Sequence, residues 1–352
     1  MSSVRVVSYN VLSSSLCEAN HYTKCSAEDL DPQNRFLKIS QYLELETQQD
    51  AVICLQEVSR AWCGPLQVFF LERGYEFSSS LYGNKFNDYM GIALAWPKNM
   101  KLKRLEQKRV GDEFPEAPRP EKKQQESTLS SVVSSIASFL SSAAPMKEER
   151  PFDLWQEIQR RYNTILLAQF EVKGKSFALA TYHMPCLFGS LEKEQVMIVH
   201  AATAAKMTRD FADGLPFILA GDFNIKPPDA AYKMLTEGAK SLPESHVPPG
   251  QAFLEDEKFD IQQVLEIPLV SAYATKLGKE PELTNFAFNK FMSEPFVGTL
   301  DYIFLSSTAH WRVDDVKETP AEKDIDYNNG SFPNNLQPSD HVPVAADLYL
   351  LE

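Results

Sequence analysis

No stretch of the 352-residue chain approaches the roughly 20 consecutive apolar residues that a membrane-spanning helix needs. An integral helical membrane protein is therefore excluded. The N-terminal run Met1-Ser2-Ser3-Val4-Arg5 lacks an apolar signal core and passes straight into a strand-like segment, so no secretory signal is expected. Cysteine is scarce. Cys17, Cys25, Cys54, Cys63 and Cys186 are an odd set with no CxxC pair, which argues against a disulfide framework and for a reducing compartment. The cytoplasm is the expected location, with the nucleus as the alternative. Positive charge is short as well: 35 Lys and Arg against 48 Asp and Glu leave a net charge of -13. A surface of that sign repels phosphate backbones, so any nucleic-acid affinity must be local. No internal repeat and no linker divides the chain.

An apolar content of 43% is enough for a sizeable core. Alternation and β-branched residues predict strands over Val4 to Ser8, Ala51 to Leu55, Ile92 to Trp96, Thr164 to Val172, Ser176 to Tyr182, Phe217 to Ala220, Leu300 to Leu305 and Val344 to Leu350. Helical spacing appears at Arg35 to Leu45, through Phe36, Ile39 and Leu43, and along Leu191 to Phe211. Strands interrupted by helices along the whole length predict one α/β domain over 1–352, with two packed sheets flanked by helices. The Pro-, charge- and Ser-rich stretch of about 111–150 breaks this pattern and reads as a surface-loop insertion. Within it, 127–142 sets Leu129, Val132, Val133, Ile136 and Leu140 opposite a serine face. A lid helix or disordered loop is the plain reading, and weak membrane docking the alternative.

Polar residues recur at the ends of these strands. Asn10 follows the first strand, in Ser8-Tyr9-Asn10-Val11-Leu12, and Glu57 closes the second, in Cys54-Leu55-Gln56-Glu57. His183 ends Ala180-Thr181-Tyr182-His183, and Gly221-Asp222-Phe223-Asn224 places Asp222 and Asn224 at i and i+2, on one side of an extended segment. Asp301 opens a strand, where it can orient an imidazole, and Pro338-Ser339-Asp340-His341 supplies another carboxylate and a histidine. Singly, each is ordinary: an Asn after a strand is usually a turn residue. Together they are what a metal-dependent phosphodiesterase requires, carboxylates for a hard cation and imidazoles for charge at the phosphate. Cys17, His21 and Cys25 stand at i, i+4 and i+8, but a fourth zinc ligand is absent and Asn20 disfavours the helix they would need. His200, in mid-helix, reads as packing.

The motif series resembles the endonuclease/exonuclease/phosphatase superfamily, whose DNase-I-like fold is a four-layered α/β sandwich of two packed mixed sheets flanked by helices. Ser8-Tyr9-Asn10-Val11-Leu12, Leu55-Gln56-Glu57-Val58, Gly298-Thr299-Leu300-Asp301-Tyr302-Ile303 and Pro338-Ser339-Asp340-His341 look most like its deadenylase branch, with nocturnin, the angel proteins and the 2′-phosphodiesterase. The resemblance implies Glu57 as the main Mg²⁺ ligand, assisted by Asn10 and Asp340, with Mn²⁺ able to substitute. It further implies Asp222 as base or water-orienting group, Asn224 on the phosphate, and His341 paired with Asp301 at the transition state, with His183 as the second histidine. Asn163 matches a family asparagine, and Phe296 falls where these deadenylases set an aromatic against the terminal base. Tyr22 and Arg35 lie where the branch places substrate contacts. After His183, Met184-Pro185-Cys186 replaces the family's aromatic, polar residue and proline, which implies an altered pocket.

The expected activity is Mg²⁺-dependent phosphodiester hydrolysis from the 3′ end of single-stranded RNA. A phosphatase or phosphodiesterase for a small nucleotide or dinucleotide is the alternative, favoured by the acidic surface, and an inactive binding module the third. No leucine-rich-repeat segment precedes residue 1, so docking through such a module is not expected.

Overall fold

A computed structural model describes residues 2–83, 89–114, 152–249, 252–254, 257–258, 260–264, 267–325 and 331–351. The insertion expected at 111–150 lies, from residue 115 onward, outside the described residues, and with it the serine-faced segment 127–142. No described helix is long and apolar enough to cross a membrane.

Twelve strands form two six-stranded sheets. The first joins β1 (Ser2–Asn10), β2 (Val52–Ser59), β3 (Tyr75–Tyr82), β4 (Met90–Pro97), β11 (Trp311–Val316) and β12 (Val344–Leu350) in the order β11-β12-β1-β2-β4-β3. The second joins β5 (Lys101–Arg109), β6 (Thr164–Val172), β7 (Lys175–His183), β8 (Phe217–Asp222), β9 (Val270–Ser271) and β10 (Asp301–Leu305) in the order β9-β10-β8-β7-β6-β5. Both sheets are mixed: β1 runs parallel to β2 and β7 parallel to β8, and the other neighbours are antiparallel.

Period-2 alternation decides what each face meets. Val4, Val6, Val52, Cys54, Ile92 and Leu94 of the first sheet pack against Leu166, Ala168, Phe177, Leu179, Ile218 and Ile303 of the second. The intervening residues Val7, Tyr9, Ile53 and Leu55 face a cluster with Ile39, Leu43, Trp62 and Phe70 from the helices Pro32–Thr47 and Arg60–Glu72. On the far side, Leu167, Ala180, Leu219 and Phe304 meet the helices Leu191–Ala212 and Ala230–Glu237. The result is the four-layered helix-sheet-sheet-helix sandwich, with strands apolar on both faces because both faces are covered. Helix Pro32–Thr47 starts earlier than apolar spacing suggests, since Asp31 accepts from the Gln33 and Asn34 amides and Pro32 occupies the first turn.

Candidate active site

The parallel pairs place the C-terminal ends of β1, β2, β7 and β8 along one edge of the sandwich: Asn10, His183 and Asp222 end β1, β7 and β8, and Glu57 stands two residues before the end of β2. Antiparallel pairing delivers the rest. Asp301 opens β10 directly opposite Asp222, and His341 precedes β12, which pairs with β1. Two local devices shape this edge. Pairing of β2 with β4 breaks between Leu55 and Val58, and Glu57 adopts a left-handed backbone, φ 56°, the kind of strained residue that clusters at functional sites. At the end of β8, a Cβ on Gly221 would stand 1.8 Å from the Tyr182 carbonyl oxygen, so only glycine lets β7 and β8 close there.

Asn10, at the centre, donates its amide nitrogen to Glu57 Oε1 at 3.1 Å and to Asp222 Oδ2 at 2.9 Å. Its amide oxygen accepts from the Leu12 amide. Asn10 thus braces two carboxylates, where the sequence reading made it a cation ligand. The Ser13 amide donates to Glu57 Oε2, and Asp222 Oδ1 accepts from the Asn224 amide. Asn224 departs from the extended segment expected of it: φ is 51°, and its side-chain nitrogen donates to the Met184 carbonyl. It lines the cleft nonetheless.

Both imidazoles are held from behind. Tyr82 bonds His183 Nδ1, and His183 Nε2 stands 3.5 Å from Asp222 Oδ2 and 3.9 Å from Glu57 Oε1. His341 Nδ1 lies 2.7 Å from Asp301 Oδ2, and its Nε2 lies 3.6 Å from Asp222 Oδ2. Thr284 donates to Asp301 Oδ2. Burial disfavours a charged His341, but the Asp301 and Asp222 carboxylates outweigh it and hold the imidazolium well above its ordinary pKa. Burial also raises the pKa of Asp222, with Asp301 adding to the rise and His341 opposing it. Tyr22 donates to Asp340 Oδ2 at 2.9 Å across 318 residues of sequence.

Glu57, His183, Asp222, Asn224, Asp340 and His341 line one cleft of about 680 Å³, with Asn163, Tyr22 and Phe296 on its walls. Gly298 leaves room for the Phe296 ring, whose Cζ would lie 3.1 Å from a Cβ there. Arg35 is not brought to the cleft. Only 1% exposed, it donates through Nε to the Pro338 carbonyl and through Nη2 to the Val11 and Leu12 carbonyls, clamping two site segments from behind. His200 is buried between Tyr182 and the Ile158 carbonyl. Sequence reasoning missed Tyr82, Thr284 and Ser13, and no pattern marks them.

The donor set fits a hard divalent cation. Among the described residues, Glu57, Asp222, Asp301 and Asp340 pair with no lysine or arginine, and Arg160 and Arg161 at the cleft wall are spent on Glu157. Among the described residues, potential ligand atoms of Asp222, Asp301 and His341 lie within 4.8 Å of one another. Yet the His341 imidazolium repels a cation. Glu57 and Asp340, with Asp222 beside them, are the oxygen donors left to hold one.

The family model described as endonuclease/exonuclease/phosphatase matches residues 7–341. The chain belongs to that family. Endonuclease/exonuclease/phosphatase proteins similar to it include nocturnin of Drosophila melanogaster, 23% identical over 99% of this chain and 47% of the relative. The 2′,5′-phosphodiesterase 12 of Homo sapiens is 25% identical over 98% of this chain and 51% of the relative. This chain therefore spans about half the length of these relatives. The solved structure of ANGEL2, a 2′,3′-cyclic phosphatase, in complex with adenosine-2′,3′-vanadate, superposes with a TM-score of 0.68 at 20% identity, covering 99% of this chain and 96% of that one. At that identity the likeness establishes the shared fold.

Proposed function

We propose that the chain is a Mg²⁺-dependent phosphodiesterase that releases nucleotides from the 3′ end of single-stranded RNA, with Mn²⁺ able to replace Mg²⁺. The observation that carries this reading is one cleft whose carboxylates meet no lysine or arginine among the described residues, with two braced imidazoles and an aromatic wall. Bound by Glu57 and Asp340, the cation would supply Lewis-acid polarisation of the phosphoryl oxygen. Asp222, its two oxygens fixed by Asn10 and Asn224, orients the attacking water and takes its proton. His341, kept cationic by Asp301, donates from Nε2 to the phosphoryl oxygens as negative charge grows, and His183 assists from the other side. Asn224, braced on Met184, steadies the loop beside the phosphate. Phe296 and Tyr22 form the wall against which a terminal base rests.

The deadenylase-like motifs support the 3′ end. Two similar proteins, a 2′,5′-phosphodiesterase and a 2′,3′-cyclic phosphatase, act on ribonucleotide phosphate esters, which supports RNA as the substrate class. A second reading, a small nucleotide or dinucleotide as substrate, is favoured by a cleft of nucleotide size in a protein of net charge -13.

Turnover of oligo(A), mixed-sequence RNA, DNA and dinucleotides in Mg²⁺ or Mn²⁺ tests the proposal. Phe296→Ala is expected to slow RNA turnover roughly tenfold, because one stacking ring is gone, and to leave a base-free phosphodiester unaffected. Activity on a dinucleotide with none on any RNA oligomer would replace the RNA reading with the small-molecule one.

A further inference from the structure

Beyond the cleft, the hairpin formed by the strands Asn285–Ala287 and Phe296–Gly298 carries a tip that the site itself does not use. Asn289 and Met292 line the cleft, whereas Phe291, between them, is 80% exposed. A single exposed phenylalanine is ordinary by itself; its setting is what distinguishes this one. The tip is held in place. The Lys290 amide donates to the His21 carbonyl at 2.9 Å, and Phe291 and Met292 amides donate to Asn289 at 3.0 Å each. His21 meets the Phe291 ring edge-on at 5.9 Å between centroids. Lys290 Nζ lies 5.1 Å from the Phe291 ring centroid, and Lys24 Nζ lies 5.8 Å from that of Phe288. Among the described residues, neither lysine has a carboxylate partner.

An exposed aromatic beside Lys290, with Lys24 over the neighbouring Phe288 and neither lysine held by a carboxylate among the described residues, next to cleft-lining Asn289 and Met292, has the chemistry of a single-strand platform. Aromatic faces stack bases of any sequence, and lysines meet the intervening phosphates. We infer that Phe291, with His21, Lys24, Phe288 and Lys290, binds single-stranded nucleic acid just beyond the cleft and stacks a base next to the nucleotides held there. This inference rests on the proposed phosphodiesterase reading and extends it from the reacting end to the adjoining strand. Charge complementarity selects this occupant: Arg160 and Arg161 at the cleft wall are paired with Glu157, whereas Lys24 and Lys290 at the tip meet no carboxylate among the described residues and are free to meet an anionic strand.

The test is anisotropy of fluorescein-labelled oligo(A) on the full chain carrying Glu57→Ala to block hydrolysis. Affinity should rise from the dinucleotide to about the hexanucleotide and then level off. Adding Phe291→Ala should weaken the hexanucleotide about tenfold, the low end for one stacked base, and leave the dinucleotide unchanged. Lys24→Ala with Lys290→Ala should flatten the salt dependence, by roughly 0.7 in log-log slope for each phosphate no longer neutralised. Hexanucleotide affinity that Phe291→Ala does not change overturns the inference, as does equal preference for duplex RNA, whose bases are not free to stack. Loss on Phe291→Ala of binding to phosphatidylserine vesicles, with oligonucleotide binding intact, overturns it too. Wild-type enzyme that cleaves a dinucleotide but gains nothing from a longer strand overturns the platform and leaves the phosphodiesterase reading standing. Phe291-dependent hexanucleotide binding by a protein that hydrolyses no phosphodiester does the reverse.

Discussion

Asp301→Asn removes the charge of one of the two carboxylates that keep His341 protonated, while nearly preserving shape. The contact is 2.7 Å between Nδ1 and Oδ2, with both side chains buried. Taking the charge centres as roughly 4 Å apart at an effective dielectric of about 20, the attraction is about 4 kcal/mol. In the wild type the His341 pKa is raised, so the imidazolium persists through neutral pH and the rate falls only as alkaline pH removes its proton. In the variant burial still opposes the charge and only Asp222, 3.6 Å from Nε2, supports it. The alkaline limb should therefore move toward acid. At pH 7.5, kcat should drop about 10²- to 10⁴-fold, the usual worth of a positioned proton donor, and recover partly on acidification. Linkage gives a second readout. The raised pKa stabilises the fold below the unfolded value of about 6.5 and loses this effect as pH rises through the folded value. The stability gap between wild type and variant should therefore be widest in acid and close in alkali. The assay is kcat against pH on a dinucleotide, with urea unfolding alongside. Parallel pH profiles with rates within about threefold would refute the reasoning.

Two further outcomes follow from buried groups. Arg35→Met leaves the Pro338, Val11 and Leu12 carbonyls without their donor, and at about 1–3 kcal/mol for each orphaned group urea unfolding should show a loss of about 3 kcal/mol or more; wild-type stability would contradict the clamp. Burial lowers the His200 pKa to about 3, so the unfolded chain takes up this proton first, and stability should fall as pH drops from about 6.5 toward 3. His200→Gln should shift the acid-unfolding midpoint to lower pH, and a coincident acid transition would count against the buried neutral imidazole.

The strands and helices that bury apolar faces were legible because their periods are undiluted, as in Val4 to Ser8 or Leu191 to Phe211. Elements with other compositions were not. Strand β5, Lys101–Arg109, is an edge strand of mostly charged residues, the composition that blunts edges and hides a strand. Helix Arg60–Glu72 contains Gly64 and Pro65, both poor helix formers, and it holds through packing of Trp62, Leu66 and Phe70 on the first sheet, which local propensity does not contain. At the site, residue type and order identified the side chains that converge, and the backbone assigned their orientation. Asn10 turns its nitrogen to the carboxylates, Asn224 leaves the extended path, and Arg35 is folded inward: each is set by contacts with chain hundreds of residues away or by a left-handed φ, and spacing carries neither. Tyr82 and Thr284 reach His183 and Asp301 only through tertiary pairing.

The most direct test of the central claim is turnover of oligo(A) or a dinucleotide by wild type and Glu57→Ala across a Mg²⁺ titration. Glu57 carries no lysine or arginine partner among the described residues and is fixed by Asn10 and Ser13, so removing its carboxylate should abolish turnover even at saturating Mg²⁺, with the cation's Lewis acidity lost along with its ligand. Activity of Glu57→Ala within tenfold of wild type at any Mg²⁺ concentration would contradict the account.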